Sequence, residues 1–411
     1  MTGIPRQGTA WPQLQARMRQ AAAQDIDWRR GRAPAYIHYA GEDVLEVAKQ
    51  AYLMFFSENG LGPRAFGSLA RFEADIVAMG LDLLSGGGDA RGAMTTGGTE
   101  SIFLAVKAAR DLARRQRPGL AAPQIVLPYS AHPAFDKAAD FLGLVTSRVP
   151  LRADFTADAA AMEAAITPDT VMLVGSAPAY PHGVVDPIAA IAAVARRHSL
   201  WMHVDACVGG YLAPFARRLG YPIEAFDFSV DGVTSISADL HKYGYAAKGA
   251  STLFFRDAAS FALMEYRFDN WPRGQYATRT LVGTRGGGAI AAAWAVMNYL
   301  GEEGYLRVTE RVIATRRAIE QGLEPLGLRA LGRPELSILA YGSPAHDMAA
   351  IGRGLSARGW MVGHVKDPDG IHLMLNLTHE PVVGEYLRDV AQAVEEAKAA
   401  GPGGDGVVAR Y

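Results

Sequence analysis

The sequence predicts an α/β protein in which helices cover both faces of a mainly parallel sheet. From Thr95 onward, helical segments alternate with short apolar runs, as in parallel strands that are joined by helices. Asp205 and Lys242 each follow one of these runs, so both are expected at the carboxyl edge of the sheet, where such folds bind their ligands. The runs that we expect to be strands cover residues 124–128, 144–149, 171–176, 200–204, 232–237 and 252–256.

The two ends of the chain differ from this alternating region. Trp11, Leu14 and Met18 recur at helical spacing, and residues 44–56 predict a second apolar helix. After residue 288 the expected elements are a long helix to about 326, strands near 336–341 and 371–377, and helices near 348–358 and 382–399. The predicted parts are a helical N-terminal segment over 1–60, a large domain over 61–290 and a small C-terminal α+β domain over 291–411.

Composition indicates a globular protein that acts on small molecules. The 411 residues are 49% hydrophobic, and 41 basic residues nearly balance 42 acidic ones, so no overall charge attracts nucleic acid or an anionic membrane. Cys207 is the one cysteine, which excludes an intrachain disulfide and fits a reducing compartment. No apolar stretch is long enough for a signal peptide or a membrane span. We therefore expect a cytoplasmic protein without a membrane anchor.

Two motifs place a carboxylate and an amine where one cofactor would need them. Residues 203–207 deliver Asp205 after one predicted strand, and residues 235–249 bring His241 and Lys242 into a glycine-rich turn after the next. Pyridoxal 5′-phosphate (PLP) forms a Schiff base with a lysine amine, and its ring nitrogen needs a buried carboxylate to stay protonated and accept electrons. Either residue alone would be unremarkable, but together they predict a PLP site.

Other polar residues near predicted strand ends are candidates for the same site. Gly97, Gly98 and Thr99 precede an apolar helix and could hold a phosphate through backbone N–H groups and a hydroxyl, although Thr99 could equally be a simple helix cap. His132 follows another strand and could stack on a cofactor ring or be structural. His241 could hydrogen-bond to the cofactor phosphate or to the substrate, or it could face solvent. No histidine or cysteine pair has zinc-site spacing, so no metal is expected.

These motifs resemble those of the sphingosine-1-phosphate lyases, which are fold-type I PLP enzymes related to group II amino-acid decarboxylases. The resemblance implies a mainly parallel seven-stranded sheet with helices on both faces and a smaller C-terminal α+β domain. It also implies that Lys242 forms the Schiff base, Asp205 pairs with the ring nitrogen and His132 stacks on the ring. The other cofactor residues that it implies are Gly97, Gly98, Thr99 and His241. The motifs cover residues 96–102, 130–132, 181–184, 203–207 and 234–245.

The same resemblance implies a homodimer whose active site is shared between subunits. Lys248, six residues after Lys242, takes the place of a family lysine that binds the substrate phosphate. Tyr276 lies in a segment similar to one that the neighbouring subunit contributes, and Thr284 should meet the partner's cofactor phosphate. The other residues similar to family positions near the substrate are Tyr39, Asn59 and His182.

One segment departs from the family pattern. Where the lyases typically have Asn-Pro-Leu-His-Pro-Asp, residues 59–64 are Asn-Gly-Leu-Gly-Pro-Arg, so Gly62 replaces the histidine associated with the substrate phosphate. Arg64 could restore that charge through bidentate hydrogen bonds, or the substrate carries no phosphate there. The membrane anchor of the eukaryotic enzymes is also absent, as expected of a soluble bacterial-type homologue.

The expected reaction is cleavage of a Cα–Cβ bond by a PLP-dependent lyase. In a phosphorylated β-hydroxy amine, a base would remove the hydroxyl proton, and the products would be an aldehyde and an amine, phosphoethanolamine in the family reaction. The alternative is an α-amino-acid decarboxylase, because pocket contacts rather than Lys242 select the bond that breaks. A catalytically silent binding protein is disfavoured, since Lys242, Asp205 and His132 are all retained.

Overall fold

Three α-helices precede the first strand in the computed structural model, which describes residues 3–400. They are α1 (Trp11–Ala21), α2 (Glu42–Met54) and α3 (Gly67–Leu83). The first two were expected from the sequence, whereas α3 was not. Helix α1 has no buried residue, and Trp11 and Met18 on its apolar side are each 62% exposed.

Seven strands then form one large sheet. They are β1 (Arg91–Thr95), β2 (Gln124–Pro128), β3 (Val145–Val149), β4 (Thr170–Ser176), β5 (Trp201–Asp205), β6 (Ser235–Ala238) and β7 (Ser251–Phe255). Across the sheet their order is β1, β7, β6, β5, β4, β2, β3. Strand β7 is antiparallel to both of its neighbours, and every other adjacent pair is parallel. The predicted fold class is therefore confirmed.

In this topology every strand of the large sheet except β7 has its carboxyl end at the same edge. Strand β5 ends at Asp205, β6 leads to Lys242, and β2 leads to His132. Because β1 and β6 are both antiparallel to β7, they run in the same direction, and the loop after β1 reaches the same edge. The carboxyl edge thus collects the predicted cofactor residues.

Helices pack on both faces of the sheet because alternate strand residues point to opposite sides. In β2, Val126 belongs to the core on one face, while Ile125 and Leu127 belong to the core on the other. All three side chains are fully buried, which explains the nearly continuous apolar runs in the sequence. The helices that connect or follow these strands are α4 (Gly98–Gln116), α5 (Ala134–Leu142), α6 (Ala159–Ala164), α7 (Ile188–Arg197), α8 (Ala213–Arg218) and α9 (Ala258–Ala262).

A hairpin and a long helix link the large sheet to the C-terminal part. The hairpin pairs β8 (Tyr266–Phe268) with β9 (Tyr276–Thr278), and α10 (Gly287–Leu323) is kinked at Gly301, whose φ is 54°. A second, antiparallel sheet follows in the order β10, β11, β13, β12, with its own apolar core. Its elements are β10 (Arg329–Ala330), β11 (Ile338–Gly342), α11 (Met348–Ala357), β12 (Gly363–Val365), β13 (Gly370–Met374) and α12 (Val383–Ala400).

Most predicted elements are present, with ends shifted by a few residues. Strand β1 was missed because it contains Arg91 and Gly92 and buries fully only its last two residues. The predicted domain limits stay predictions, and the limit at 290 falls within the first turn of α10. No helix among residues 3–400 is long and apolar enough to cross a membrane, and that part of the chain holds no cluster of side chains suited to a metal ion.

Candidate active site

A cavity of about 380 Å³ lies at the carboxyl edge of the large sheet. The residues that follow β1, β2, β4, β5 and β6 form its wall, so five connections of the sheet contribute to one site. The predicted residues that line it are Gly97, Gly98, Thr99, His132, Asp205, His241 and Lys242. The lining residues to which we gave no role are Thr96, Glu100, Ile102, Ser176, Pro178, Tyr180, Cys207, Val208 and Asp239.

The amine of Lys242 is paired with a buried carboxylate. Its Nζ lies 3.0 Å from Oδ2 of Asp239, which is 2% exposed, and the Ser251 hydroxyl donates to the other oxygen of Asp239. Burial alone would lower the pKa of Lys242, but the charge of Asp239, together with smaller contributions from Asp205 and from the hydrogen bond to Asp239, raises it. Burial would raise the pKa of the Asp239 carboxyl, but Lys242, His241 and the hydrogen bond from Ser251 together lower it. The pair therefore holds the lysine as a cation that points into the cavity.

Asp205 presents another carboxylate to the cavity. Its Oδ1 accepts a hydrogen bond from the backbone N–H of Cys207 at 3.0 Å and from the Ser237 hydroxyl at 3.4 Å. These donors come from the end of its own strand and from the neighbouring strand, so the position of the carboxylate is set by the sheet itself. Burial raises the pKa of the Cys207 thiol, which fits a neutral packing residue rather than a nucleophile.

The glycine-rich loop after β1 forms a cradle at the start of α4. Helix α4 begins at Gly98, so the N-cap position is Gly97, which has no side chain to form a cap. Thr99 already lies inside the helix and is therefore not its cap, an alternative that the sequence had left open. A Cβ on Gly98 would lie 2.8 Å from Sγ of Cys207 and 2.9 Å from Oδ2 of Asp239. Only glycine lets the backbone approach so closely. The free N–H groups of this helix end therefore border the cavity, as in sites that bind a phosphate.

Replacing Gly98 by alanine should damage this cradle. The added methyl group meets Cys207 and Asp239 well inside contact distance, so we expect a loss of about 1–3 kcal/mol in the free energy of unfolding and at least about a tenfold weaker cofactor affinity. Gly97→Ala is the matched control, since its Cβ would meet nothing closer than 3.9 Å. Cofactor titration of both variants checks this. Equal affinities would show that the close approach at Gly98 is unimportant.

Two histidines on the wall have defined tautomers. Nδ1 of His132 accepts from the backbone N–H of Ala134 at 3.1 Å, so the ring proton is on Nε2. Nδ1 of His241 lies 2.8 Å from the carbonyl oxygen of Ala250, which can only accept, so His241 carries its proton there. Burial lowers the pKa of both rings, which keeps them neutral near pH 7.

A second cavity of about 430 Å³ contains Lys248 and Tyr39, two of the predicted substrate residues. It adjoins the first at His241, whose carbonyl oxygen accepts from Nζ of Lys248 at 3.1 Å. Lys248 lies at the rim of this cavity with its side chain partly in solvent. Partial desolvation of its amine by the surrounding protein, and to a smaller extent the charge of Lys242, lower its pKa to about 8. Apart from its lysines and His38, the wall is apolar or aromatic.

The remaining predicted substrate residues do not line these two cavities. Arg64 is exposed, and Asn59 uses its side chain to accept from the backbone of Leu61. His182 is 4% exposed and stacks on Phe155 at 4.5 Å. Tyr276 lies in β9 and Thr284 in an exposed loop before α10, on the surface of this chain. Their roles in substrate or cofactor binding stay predictions.

Two acidic residues that the fold brings to the first cavity had no role predicted from the sequence. Asp239 pairs with Lys242, and Glu100 hydrogen-bonds to Thr96 and to Leu281. A signal for Asp239 exists, because a carboxylate three residues before a lysine can reach its amine in a tight turn. The bond between Glu100 and Leu281 joins positions 181 residues apart, so local spacing could not have revealed it.

The groups of the first cavity fit PLP. Lys242 offers the amine, Asp205 a carboxylate held by the sheet, and the cradle before α4 an anion site. A family model described as "Pyridoxal-dependent decarboxylase conserved domain" matches residues 73–327. The fold matches that of Lactobacillus brevis glutamate decarboxylase, at 18% identity over 99% of this chain and 96% of that one, with a TM-score of 0.84. Fold and site together define a fold-type I PLP-dependent enzyme.

Comparison with similar proteins identifies the family within this class of enzymes. The chain is 40% identical to the sphingosine-1-phosphate lyase of Arabidopsis thaliana, over 93% of this chain and 72% of the relative. The solved sphingosine-1-phosphate lyase of Burkholderia pseudomallei is 36% identical, covers 97% of this chain and 94% of its own, and has a TM-score of 0.93. This chain therefore belongs to the sphingosine-1-phosphate lyase family, and it is a PLP-dependent lyase.

Proposed function

We propose that this lyase cleaves the Cα–Cβ bond of a phosphorylated β-hydroxy amine, giving an aldehyde and an amine such as phosphoethanolamine. The observation that carries this proposal is the position of Lys248. Its ammonium group hydrogen-bonds to the carbonyl of His241, the residue directly before Lys242, so a cation stands beside the catalytic lysine. A substrate amine near Lys242 would thus place a neighbouring phosphate close to Lys248.

Each residue of the first cavity would have a separate role in catalysis. Lys242 would bind the aldehyde carbon of PLP through Nζ, Asp205 would pair with the ring nitrogen, and the loop of Gly97, Gly98 and Thr99 would hold the phosphate. When bound, PLP supplies the electron sink for the charge left at Cα. When Lys242 Nζ is not bound to PLP, Asp239 would keep it as a cation, and it could return a proton to Cα. His132 carries its ring proton on Nε2, so it is suited to donate a hydrogen bond rather than to accept one.

We also propose that the enzyme is a homodimer with shared active sites. Apolar side chains around the β8–β9 hairpin and the loop before α10 are solvent-exposed in the single chain, and such patches mark association surfaces. They are Tyr266, Phe268, Trp271, Leu281 and Val282, whose exposed fractions range from 39% to 54%. Sedimentation equilibrium should find a mass of two chains, and a monomer at micromolar concentration would refute the dimer.

Product analysis by mass spectrometry tests the reaction. The holoenzyme is incubated with sphingosine 1-phosphate and, separately, with a panel of amino acids. An aldehyde together with phosphoethanolamine supports the proposal. Carbon dioxide together with an amine would overturn it in favour of decarboxylation, which the substitution at Gly62 leaves chemically open.

Lys248 should make the use of a phosphorylated substrate depend on pH. The pKa of its amine is lowered to about 8, so the group is a cation below this pH and loses its charge as pH rises through it. We expect kcat/KM to fall above about pH 8 for phosphorylated substrates and to stay level for unphosphorylated ones. Lys248→Arg should extend the profile to higher pH, because arginine stays charged. Identical profiles for both substrate types would remove Lys248 from phosphate binding.

Arg64 provides a test of the segment that departs from the family. If Arg64 replaces the charge of the missing histidine, Arg64→Ala should cost about 1.5–3 kcal/mol in transition-state binding, the range for a hydrogen bond to a charged group. The loss should be confined to phosphorylated substrates, and steady-state kinetics with matched pairs of amines measures it. An equal effect on both members of a pair would make Arg64 structural.

A further inference from the structure

One buried carboxylate ties the cofactor cradle to a distant loop. Glu100 lies in the first turn of α4 and is 5% exposed. Its Oε2 accepts from the backbone N–H of Thr96 at 2.7 Å and from the Thr96 hydroxyl, and its Oε1 accepts from the backbone N–H of Leu281 at 2.7 Å. Both oxygens are therefore occupied by groups from two separate segments.

The first segment is part of the cofactor site. Thr96 lines the cavity and leads directly into Gly97 and Gly98, whose backbone forms the cradle. Two hydrogen bonds from Thr96 to one oxygen fix where the cradle begins relative to α4. A shift of this loop would move the N–H groups that face the cavity.

The second segment is an exposed loop whose two ends are fixed. Glu100 holds it at Leu281, and Arg285 holds it at the other end through an ion pair with Glu73 and a hydrogen bond to the Gly60 carbonyl at 3.3 Å. Between these points Val282 is 39% exposed, and Leu281 itself is 54% exposed. An apolar loop that is held firmly yet faces solvent is suited to contact another chain.

We propose that Glu100 is a positioning residue that couples PLP binding to dimerisation, by fixing the cradle of its own subunit and the loop that contacts the partner. The inference rests on the homodimer proposed above. A ligand that orders the cradle also orders Thr96, and Thr96 in turn orders Glu100 and the loop at Leu281 through the hydrogen bonds of that carboxylate. By thermodynamic reciprocity, PLP should then tighten the dimer as much as the dimer tightens PLP binding.

Replacing Glu100 by glutamine changes PLP affinity in opposite directions through charge and through positioning, so the two effects can be told apart. Removing the negative charge of Glu100 beside an anion site would by itself strengthen the binding of a phosphate. An amide, however, offers only one acceptor oxygen, so Glu100→Gln cannot satisfy both Thr96 and Leu281. Weaker PLP binding in this variant would therefore report lost positioning, because the change in charge acts in the opposite direction.

The experiment uses the full chain, stripped of PLP and titrated with it. We expect PLP to tighten the wild-type dimer in sedimentation equilibrium, and Glu100→Gln to weaken PLP binding about tenfold and to lose this tightening. Glu163→Gln is the matched control, since Glu163 pairs with Arg197 and His198, does not line the cavity and lies outside the β8–β9 hairpin. It should leave the coupling intact.

Three outcomes would contradict the proposal. PLP affinity that is unchanged or tighter in Glu100→Gln overturns the positioning role. A wild-type dimer whose stability PLP does not change overturns the coupling alone, whereas a chain that stays monomeric overturns the proposed dimer as well. If Glu100→Gln does not fold, Thr96→Val removes one hydroxyl donor and leaves the bond to Leu281, and it should weaken PLP binding by a smaller factor.

Discussion

Replacing Lys242 by alanine is expected to lower turnover by at least about a thousandfold. The variant loses both the amine that would bind the cofactor covalently and the cation that could return a proton to Cα, and proton transfer alone contributes about 10²–10⁴-fold in typical enzymes. It also leaves Asp239, which is 2% exposed, without its partner at 3.0 Å. Breaking a buried pair in this way should cost about 3 kcal/mol in the free energy of unfolding.

Borohydride reduction of the holoenzyme provides the direct measurement. Peptide mapping should find the cofactor attached to Lys242 in the wild type and on no lysine in Lys242→Ala. Lys248→Ala is the matched control, because Lys248 lines the adjoining cavity and its amine hydrogen-bonds to the carbonyl of His241. Attachment to another lysine in the wild type would show that the assignment of Lys242 is wrong.

The order of the elements could be predicted from the sequence because strands buried on both faces leave continuous apolar runs. Residues 124–128, for example, form β2 as expected. Strand β1 gave no such signal, since Arg91 and Gly92 occur in it and its pairing with β7 depends on a strand that comes about 160 residues later. Long-range pairing of this kind is a property of the assembled sheet, and no local pattern records it.

Some residues of the candidate site could likewise be predicted from the sequence, and others could not. Lys242, Asp205 and His132 could be predicted because each follows an apolar strand, and parallel topology takes strand ends to one edge. Glu100 could not, because its bond to Leu281 exists only after the chain has returned past the hairpin. The separation of Arg64 and His182 from the two cavities likewise depends on side-chain packing, as in the stacking of His182 on Phe155.

Asp205→Asn should preserve the fold and lower turnover by about 10²–10⁴-fold. The amide oxygen can still accept from the N–H of Cys207 and the hydroxyl of Ser237, so the free energy of unfolding should change by less than about 1 kcal/mol. A neutral amide cannot, however, balance a protonated ring nitrogen in a buried site, and the electron sink at Cα weakens accordingly. The measurement is kcat/KM together with the dissociation constant of PLP, which should rise far less than turnover falls.

Two further variants separate charge from shape in this prediction. Asp205→Glu keeps the carboxylate and should recover part of the lost turnover, whereas a purely structural role would make it worse than the nearly isosteric Asn. Asp231→Asn, in an exposed ion pair with Arg196, should leave kcat/KM unchanged because that carboxylate lies outside the cavity. If Asp205→Asn keeps turnover within about threefold of the wild type, a difference of less than about 1 kcal/mol, then Asp205 does not pair with the ring nitrogen, and that role must be reassigned to another carboxylate of the cavity.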